Sequence, residues 1–401
     1  MNITVIGGGN IGTQFAVHSS DKGHSVKMFT SNPSRFSKHL FIVDKSDNVI
    51  KEGKIVLATS DPHEALHDAE MIMITMPPTM MIPLAQIIYE YADAGAVIGF
   101  VPGNGGFEFA FRDCIERGNV LFGIDRVPAI ARLKERGRTV CCSGYKDRLY
   151  VAALPSSHTE ECAALIESIY DIPCVRLPGF MALTLTPSNP ILHTARLMTI
   201  FSDYEPGVTY ESLPLFYEEW DDASSELLLA CDDEIQDICR ALPWFGLEYV
   251  VSEREFYNAD TVEEMTYAIR TATPSVCSDA LDIKGRGLSG LRKRRKQRWQ
   301  RIEQHIKRRS DWREILEERR NRRREENTEG LIPDLHSRYF TADFPYGLSV
   351  IQQIGKIAGV AMPNIDKLIE WYDNIAIIND KLRLSDYGIT DVESLKEFYL
   401  T

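Results

Sequence analysis

The sequence predicts an α/β domain built on a doubly wound parallel sheet, followed by an all-α helical domain. In the first part of the chain, apolar runs rich in β-branched residues alternate with helix-forming segments, which is typical of parallel strands joined by helices. From residue 181 onward, apolar residues recur at helical spacing and strand signals become rare. We therefore place the first domain at residues 1–180 and the second at residues 181–401.

The first strand leads directly into a glycine-rich turn with the spacing G-x-G-x-x-G. In this spacing the first glycine permits the tight turn, the second lets a pyrophosphate approach the backbone, and the third lets the helix pack closely on the strand. The helix amino terminus offers free N–H groups and a positive dipole end. With a strand before it and a helix after it, the turn predicts a Rossmann dinucleotide site. Its candidate cofactor-binding residues are Gly7, Gly9, Asn10, Ile11 and Gly12.

The residues after the second strand (25–30) bear on the choice of nicotinamide cofactor. NAD-preferring domains usually place Asp or Glu here to bind the ribose hydroxyls, and segment 30–35 contains neither. Ser31, Ser34 and Arg35 instead suit a 2′-phosphate, because they supply hydroxyl groups and a cation. This pattern favours NADP over NAD. The alternative interpretation is a solvated loop with one surface arginine.

The remaining elements of the first domain follow the same alternation. Two of the predicted strands, 138–143 and 148–153, are expected to pair around a turn at Gly144. Ligands of doubly wound sheets lie at the carboxyl ends of the strands, so loops 76–79 and 102–106 are candidate binding loops, with plain turns as the alternative. Strands are expected at 54–58, 71–75, 96–101, 138–143, 148–153 and 173–177, and helices at 62–69, 83–91 and 158–169.

Residues 63–67 read His-Glu-Ala-Leu-His, which matches the zinc motif H-E-x-x-H. We reject a zinc site because the motif lies on a short helix between two strands of the predicted nucleotide-binding sheet. No third ligand follows at a recognisable spacing. We expect no metal.

Composition and charge exclude several classes of protein. No apolar run approaches the ~20 residues that a membrane span requires, and Met1 is followed directly by a strand, which leaves no room for a signal peptide. The eight cysteines show no C-x-x-C spacing, which indicates reduced thiols and a cytoplasmic protein. The net charge of −13 does not favour nucleic acid as the main partner.

One basic segment, 284–326, departs from this acidic background with 18 Lys and Arg against 7 Asp and Glu. Its apolar residues recur at helical spacing, which indicates a helical insertion. Three interpretations stay open. The segment is a solvated surface excursion, as charge runs usually are, or a docking element for an acidic protein surface, or a site for nucleic acid or anionic lipid.

The helical domain opens on a stretch, 186–193, that reads TPSNPILH. Asn189 and His193 are four residues apart, so both face the same side of a helix. Asn189 is the predicted N-cap, since Pro190 follows it in the first turn. Taken alone, a histidine on a helix is usually structural. Helices are expected at 190–202, 210–242, 261–272, 347–359 and 363–376.

A second stretch, 337–348, reads SRYFTADFPYGL. It contains Arg338 and Asp343 in an aromatic setting rich in turn-forming residues. On its own, Asp343 is equally compatible with a helix cap.

Together these stretches resemble the opine dehydrogenases, the octopine/nopaline dehydrogenase family. The resemblance rests on the glycine turn, on N-P-I-L-H at 189–193 and on the stretch that ends D-x-P-Y-G-L at 343–348, in the same order along the chain. It implies a Rossmann domain joined to an all-helical domain, with the active site between them. It also implies that an α-keto acid such as pyruvate condenses with the amino group of an amino acid, and that hydride from NAD(P)H reduces the imine.

The resemblance further implies roles for four residues. His193 is the expected general acid and base, and Asp343 is expected to orient its imidazole and stabilise the cation. A carboxylate partner fixes the tautomer and raises the pKa of a histidine. Arg338 is expected to hold a substrate carboxylate through two parallel hydrogen bonds, and Asn189 to bind substrate or cofactor.

Two other functions stay open at the level of sequence. A keto-acid reductase of the ketopantoate-reductase type shares this architecture and forms a hydroxy acid without an amine. A non-catalytic nucleotide-sensing or scaffold protein binds the cofactor, and a partner through segment 284–326, without turnover.

Overall fold

The structure is a computed structural model that describes residues 1–272, 331–376 and 381–400. The basic segment 284–326 lies outside the described residues. An eleven-stranded sheet comes first in the chain, and a helical part follows it, which confirms the predicted fold class. The strands are β1 Asn2–Ile6, β2 Ser25–Phe29, β3 His39–Val43, β4 Val49–Thr59, β5 Met71–Ile74, β6 Val97–Phe100, β7 Val120–Ile124, β8 Ile130–Glu135, β9 Thr139–Ser143, β10 Leu149–Leu154 and β11 Cys174–Arg176.

Among the described residues, four of the seven helices before residue 185 have five residues or fewer, whereas six of the seven after it have nine or more. The helices are α1 Asn10–Asp21, α2 Pro62–Leu66, α3 Met81–Tyr91, α4 Phe107–Ala110, α5 Arg112–Glu116, α6 Thr159–Tyr170, α7 Met181–Thr184, α8 Asn189–Ile200, α9 Asp222–Ala241, α10 Glu253–Tyr257, α11 Val262–Ala272, α12 Ser349–Ile357, α13 Pro363–Ile375 and α14 Val392–Leu400. A π-helix, Tyr339–Leu348, leads directly into α12.

The strand order is β11-β10-β7-β6-β5-β1-β2-β4-β3-β9-β8. The five central strands from β7 to β2 are parallel, so the ends of β1, β2, β5, β6 and β7 meet at one edge. Antiparallel pairs occur outside this centre, at β7–β10, β4–β3 and β9–β8. The glycine turn after β1 and both candidate loops, 76–79 and 102–106, therefore share the edge where ligands of such sheets bind.

The predicted pairing of 138–143 with 148–153 is wrong. Strand β9 pairs with β3 and β8, whereas β10 pairs with β7 and β11 near the other end of the sheet. Gly144 directly follows β9 and has a left-handed backbone conformation, with a φ of 58°. The chain then passes from one end of the sheet to the other, because both edges of β9 are already hydrogen-bonded, one to β3 and one to β8. A turn signal shows where a strand ends and not which strand is its neighbour.

The two faces of the sheet belong to different cores. Side chains on one face, such as Ile3 and Val26, pack with α6. Those on the other face, such as Ile6 and Phe100, join a cluster that continues into the helical part as far as Tyr399. This alternation along β1 follows from the two-residue period of a strand. The helical part is thus packed against one sheet face by a continuous apolar core.

The predicted helix 210–242 is correct only from Asp222 onward. Pro214 interrupts the helical pattern because it lacks an N–H group and clashes with the preceding turn. The helix begins instead where the Asp221 side chain accepts a hydrogen bond from the Ser224 N–H. Residues 210–221 are therefore an irregular stretch.

None of the helices in the described ranges is both long and apolar enough to cross a bilayer. The seven cysteines in those ranges are free thiols, and six of them are buried.

Candidate active site

The glycine turn after β1 leaves open space where a pyrophosphate is expected. Gly7 has a φ of +106°, and a Cβ on Gly12 would come within 1.8 Å of the Gly7 carbonyl oxygen, so neither position accepts a side chain. A Cβ on Gly9 would meet no atom within 4 Å. Gly9 is also the N-cap of α1, so the first N–H groups of the helix face this open space. The turn therefore fits a dinucleotide phosphate.

Asn10 and Ile11 contribute to this turn through their backbone N–H groups. The Asn10 side chain is already engaged, because its Oδ1 accepts a hydrogen bond from the Leu133 N–H at 2.9 Å. That bond ties the start of α1 to β8. Ile11 is partly buried and packs on the core of the sheet.

The loop after β2 lies directly beside the glycine turn. A Cβ on Gly8 would come 2.2 Å from the Phe36 ring, and a Cβ on Gly137 would come 2.2 Å from the Arg35 carbonyl oxygen. The backbone of this loop is therefore held between two other turns. The Arg35 side chain is exposed and Ser31 is half-buried, so both groups are accessible at the end of β2.

His193 and Asp343 are in direct contact although 150 residues separate them in the chain. The Nδ1 atom of His193 lies 2.8 Å from Asp343 Oδ2. The His193 side chain is only 2% exposed and that of Asp343 is 17% exposed. A carboxylate accepts hydrogen bonds, so Nδ1 carries the proton and Nε2 of the neutral ring presents its lone pair.

Two local features bring this pair together. Asp343 lies in the π-helix and not at a helix cap, and Pro345 inside that helix supplies no N–H group to it. A Cβ on Gly347 would come 2.6 Å from Pro190 Cγ, so only glycine allows the π-helix to lie this close to the first turn of α8. The proline of N-P-I-L-H and the glycine of D-x-P-Y-G-L thus meet at the contact between the two helices.

Aromatic rings enclose the imidazole of His193. The centroid of the Tyr339 ring lies 4.4 Å from that of His193 in an edge-to-face arrangement, and Phe216 lies at 5.7 Å. Burial among these groups lowers the pKa of His193, and this outweighs the opposing effect of Asp343. Asp343 does raise the pKa of His193, as expected of a carboxylate partner, but the net pKa is lowered because desolvation exceeds this attraction.

Tyr217 is hydrogen-bonded to the other nitrogen of the His193 ring, Nε2. Its hydroxyl group lies 2.9 Å from His193 Nε2. Since Nε2 is the unprotonated nitrogen, the hydroxyl donates to it. Sequence reasoning missed Tyr217 because it placed residue 217 inside a helix, whereas Pro214 signals the irregular stretch on which Tyr217 lies.

The stretch that carries Tyr217 is held by one buried arginine of α8. Arg196 is fully buried, and its guanidinium donates to the carbonyl oxygens of Leu215, Phe216 and Glu219. It also donates to Asp221 Oδ2 at 2.8 Å and to the Ser224 hydroxyl at 3.1 Å. Because Arg196 is one turn from His193 on the same helix, it fixes the backbone around Tyr217 relative to the imidazole.

The other two predicted site residues flank the pair. Arg338 immediately precedes the π-helix, is exposed, and lies over the Tyr339 ring at 5.3 Å. Asn189 is the first residue of α8, one position later than predicted, since Ser188 holds the N-cap position. The Asn189 side chain makes no hydrogen bond to any residue that the structure describes. Both polar groups are thus available beside His193.

A second charged cluster, which sequence reasoning did not anticipate, lies just beyond β7. Arg126 donates to the Pro187 carbonyl oxygen at 3.0 Å and stacks on Phe256 at 3.6 Å. Its guanidinium lies 3.6 Å from the buried Glu253, and burial raises the pKa of that carboxyl to about 7. Arg126 and Lys146 border a cavity of about 390 Å³. This cavity adjoins the start of α8, although His193 does not line it.

The H-E-x-x-H stretch does not have the geometry of a zinc motif. Helix α2 ends at Leu66, so His67 lies beyond it, and the rings of His63 and His67 stack at 5.1 Å. Glu64 accepts a hydrogen bond from the Thr59 hydroxyl. Across residues 1–272, 331–376 and 381–400, no three His, Cys, Asp or Glu side chains are grouped to hold a metal ion.

Both parts of the chain match known protein families. Residues 176–376 match the family described as NAD/NADP octopine/nopaline dehydrogenase, alpha-helical domain. Residues 2–101 match the amino-terminal domain of NAD-dependent glycerol-3-phosphate dehydrogenase. Octopine dehydrogenase of Pecten maximus is 25% identical over 92% of this chain and 89% of its own length. An uncharacterized protein of Sinorhizobium fredii is 30% identical over 60% of this chain and 68% of its own length.

Solved structures show the same fold. Octopine dehydrogenase bound to NADH and L-arginine superposes with a TM-score of 0.74, at 21% identity, over 98% of this chain and 97% of that one. The complex of octopine dehydrogenase with NADH and pyruvate gives the same TM-score and coverage.

Proposed function

Since this chain belongs to the NAD/NADP octopine/nopaline dehydrogenase family, we propose that His193 and Asp343 are the proton-transferring pair of its reaction. The protein is an NAD(P)-dependent oxidoreductase that condenses an α-keto acid with the amino group of an amino acid and reduces the product. The single observation that supports the roles of the pair is their buried contact of 2.8 Å at the junction of α8 and the π-helix.

The chemistry of condensation calls for a group that gives and takes a proton. Loss of water from the first adduct of amine and keto acid requires a proton on the departing oxygen, which the imidazolium of His193 supplies from Nε2. Asp343 keeps the other proton on Nδ1 and stabilises the cation while it exists. In the reverse direction the neutral ring accepts a proton from the water that adds to the imine.

Arg338 and Asn189 complete the proposed substrate site. Arg338 holds the carboxylate of the keto acid, because a guanidinium makes two parallel hydrogen bonds to such a group. Arg338 lies at the start of the π-helix, close to Asp343 in the chain, and its charge acts on His193. Asn189 donates to substrate or cofactor from the same face of α8 as His193.

We assign the pyrophosphate of the cofactor to the glycine turn at residues 7–12 and the 2′-phosphate of NADP to Ser31 and Arg35. When bound, the nicotinamide supplies the hydride that reduces the imine. The open space at Gly9 and the accessible Arg35 support this placement. Substitution R35A tests it: KM for NADPH should rise about tenfold, as expected for one lost charge-assisted contact, while KM for NADH stays the same. The exposed Arg240 of α9 provides the control substitution R240A, and equal effects of R35A on both cofactors would contradict the contact between Arg35 and the 2′-phosphate.

The reaction is tested by following the absorbance of NADPH and NADH with pyruvate alone, and then with pyruvate and a pool of amino acids. Consumption that requires both partners is the expected result, and dividing the pool identifies the amine. Consumption with the keto acid alone would identify a hydroxy-acid reductase instead. The same assay with other α-keto acids decides whether pyruvate is the preferred one.

A further inference from the structure

The contact between Tyr217 and His193 bears on how a proton reaches the substrate. Nε2 is the only nitrogen of His193 that is free to exchange a proton, because Nδ1 is held by Asp343. The Tyr217 hydroxyl already occupies that nitrogen at 2.9 Å. His193 itself is 2% exposed, whereas Tyr217 is partly exposed. Any proton that enters or leaves Nε2 in this arrangement passes the phenol.

We propose that Tyr217 is a proton relay, whose hydroxyl carries the proton between His193 Nε2 and the substrate oxygen. This inference rests on the proposed function and adds a residue that touches the substrate. A hydroxyl group is suited to the task because it donates one hydrogen bond and accepts others at the same oxygen.

The transfer balances without any ionised phenol. The Nε2–H bond of the imidazolium breaks as its proton bonds to the Tyr217 oxygen, and the former Tyr217 O–H proton moves to the hydroxyl group of the adduct. The carbon–oxygen bond then breaks, its electron pair leaves with water, and the iminium remains. Tyr217 begins and ends neutral and His193 becomes neutral. Burial holds the pKa of Tyr217 well above its usual value, which agrees with a concerted transfer rather than a stored phenolate.

The anchoring of residues 215–221 favours a relay over a side chain that merely fills an empty site. Arg196 binds three carbonyl oxygens on either side of Tyr217, and Phe216 packs edge-to-face on the Tyr217 ring at 4.9 Å. A group that must be displaced by substrate gains nothing from such anchoring. A group that must hold a fixed distance to both nitrogen and substrate requires it.

The test compares Y217F with wild type and with Y210F. Tyr210 is a matched control on the same stretch, since its hydroxyl also donates one hydrogen bond, to Asp203 Oδ1 at 2.8 Å. We expect Y217F to lower kcat of the condensation about 10²-fold, the usual range for one proton-transfer group, with KM for both substrates nearly unchanged. Y210F should retain kcat. Thermal unfolding and cofactor binding of all three proteins check that each is folded.

Rates in mixtures of H₂O and D₂O separate a relay from a structural role. A relay moves two protons in one step, so the dependence of wild-type kcat on the deuterium fraction should be curved, and that of Y217F should be linear. Unchanged or increased kcat in Y217F, or a rate loss that retains the curvature, would overturn the relay. A wild-type protein that condenses no keto acid with any amine would instead overturn the proposed function, and the relay with it.

Discussion

Two histidine–carboxylate pairs in this protein have nearly the same contact distance and quite different surroundings. His39 Nδ1 lies 2.7 Å from Glu52 Oε1 across the antiparallel strands β3 and β4, and both side chains are more than half exposed. His193 lies 2.8 Å from Asp343, and both side chains are largely buried. Water solvates and screens the first pair, whereas aromatic rings enclose the second. Contact distance alone therefore does not distinguish the proposed proton-transfer pair from a solvated ion pair.

Substitution of the two histidines should change kcat to very different extents. Substitution H193Q should lower kcat about 10²- to 10⁴-fold, because it removes the group that exchanges the proton, while cofactor binding measured by fluorescence titration stays intact. Substitution H39Q should leave kcat unchanged, since the pair at β3 and β4 is solvated. Loss of cofactor binding in H193Q would indicate a structural histidine.

Substitution of the two carboxylates, Asp343 and Glu52, should also affect the rate unequally. The effect at Asp343 should depend on pH. Asp343 raises the pKa of His193 against the effect of burial, so D343N should lower that pKa further. The condensation uses the protonated imidazole, which is present below its pKa, so the decline of kcat/KM with rising pH should move to lower pH. We also expect kcat to fall about 10²-fold. Substitution E52Q is the matched control, and an unshifted profile in D343N would contradict the role of Asp343.

Removal of the Arg338 charge, beside His193 and Asp343, should have a smaller effect on the kinetics. Substitution R338Q should raise KM for the keto acid about 10- to 150-fold, because a hydrogen bond to a charged group contributes about 1.5–3 kcal/mol. KM for the cofactor should not change. The exposed Arg240, which pairs with Asp237, gives the control substitution R240Q. A higher KM for the amine alone would reassign Arg338 to the other substrate.

The packing of the π-helix on α8, which buries His193 and Asp343, should have the least influence on kcat. Substitution G347A places a methyl group against Pro190, which should lower the free energy of unfolding by about 1–3 kcal/mol. Denaturant unfolding monitors this change. Kinetics at a temperature where the variant is folded should show a modest loss of kcat as the π-helix moves away from α8. Substitution G95A at an open position is the control, and equal stability of both variants would contradict the close approach.

Features that depend on local backbone geometry could be predicted from the amino-acid sequence. The spacing of Gly7, Gly9 and Gly12 specifies a strand, a turn and a helix, because a side chain at these positions would obstruct the turn, the approach of the phosphate or the packing of the helix. The change to helical periodicity likewise predicted the helical part, and the order of motifs predicted the family. His193 and Asp343 were named as partners through that resemblance, since 150 residues of intervening chain give no local signal of contact.

Features that depend on contacts between distant parts of the chain could be seen only in the folded protein. The partners of β9, the net direction of the His193 pKa and the position of Tyr217 all follow from packing between segments far apart in sequence. Burial among Tyr339 and Phe216 outweighs the attraction of Asp343, and no motif encodes that balance. Arg196 holds an irregular stretch over the imidazole through carbonyl oxygens, which every residue possesses. Backbone acceptors of this kind leave no trace in sequence, so only the folded chain reveals the contact they create.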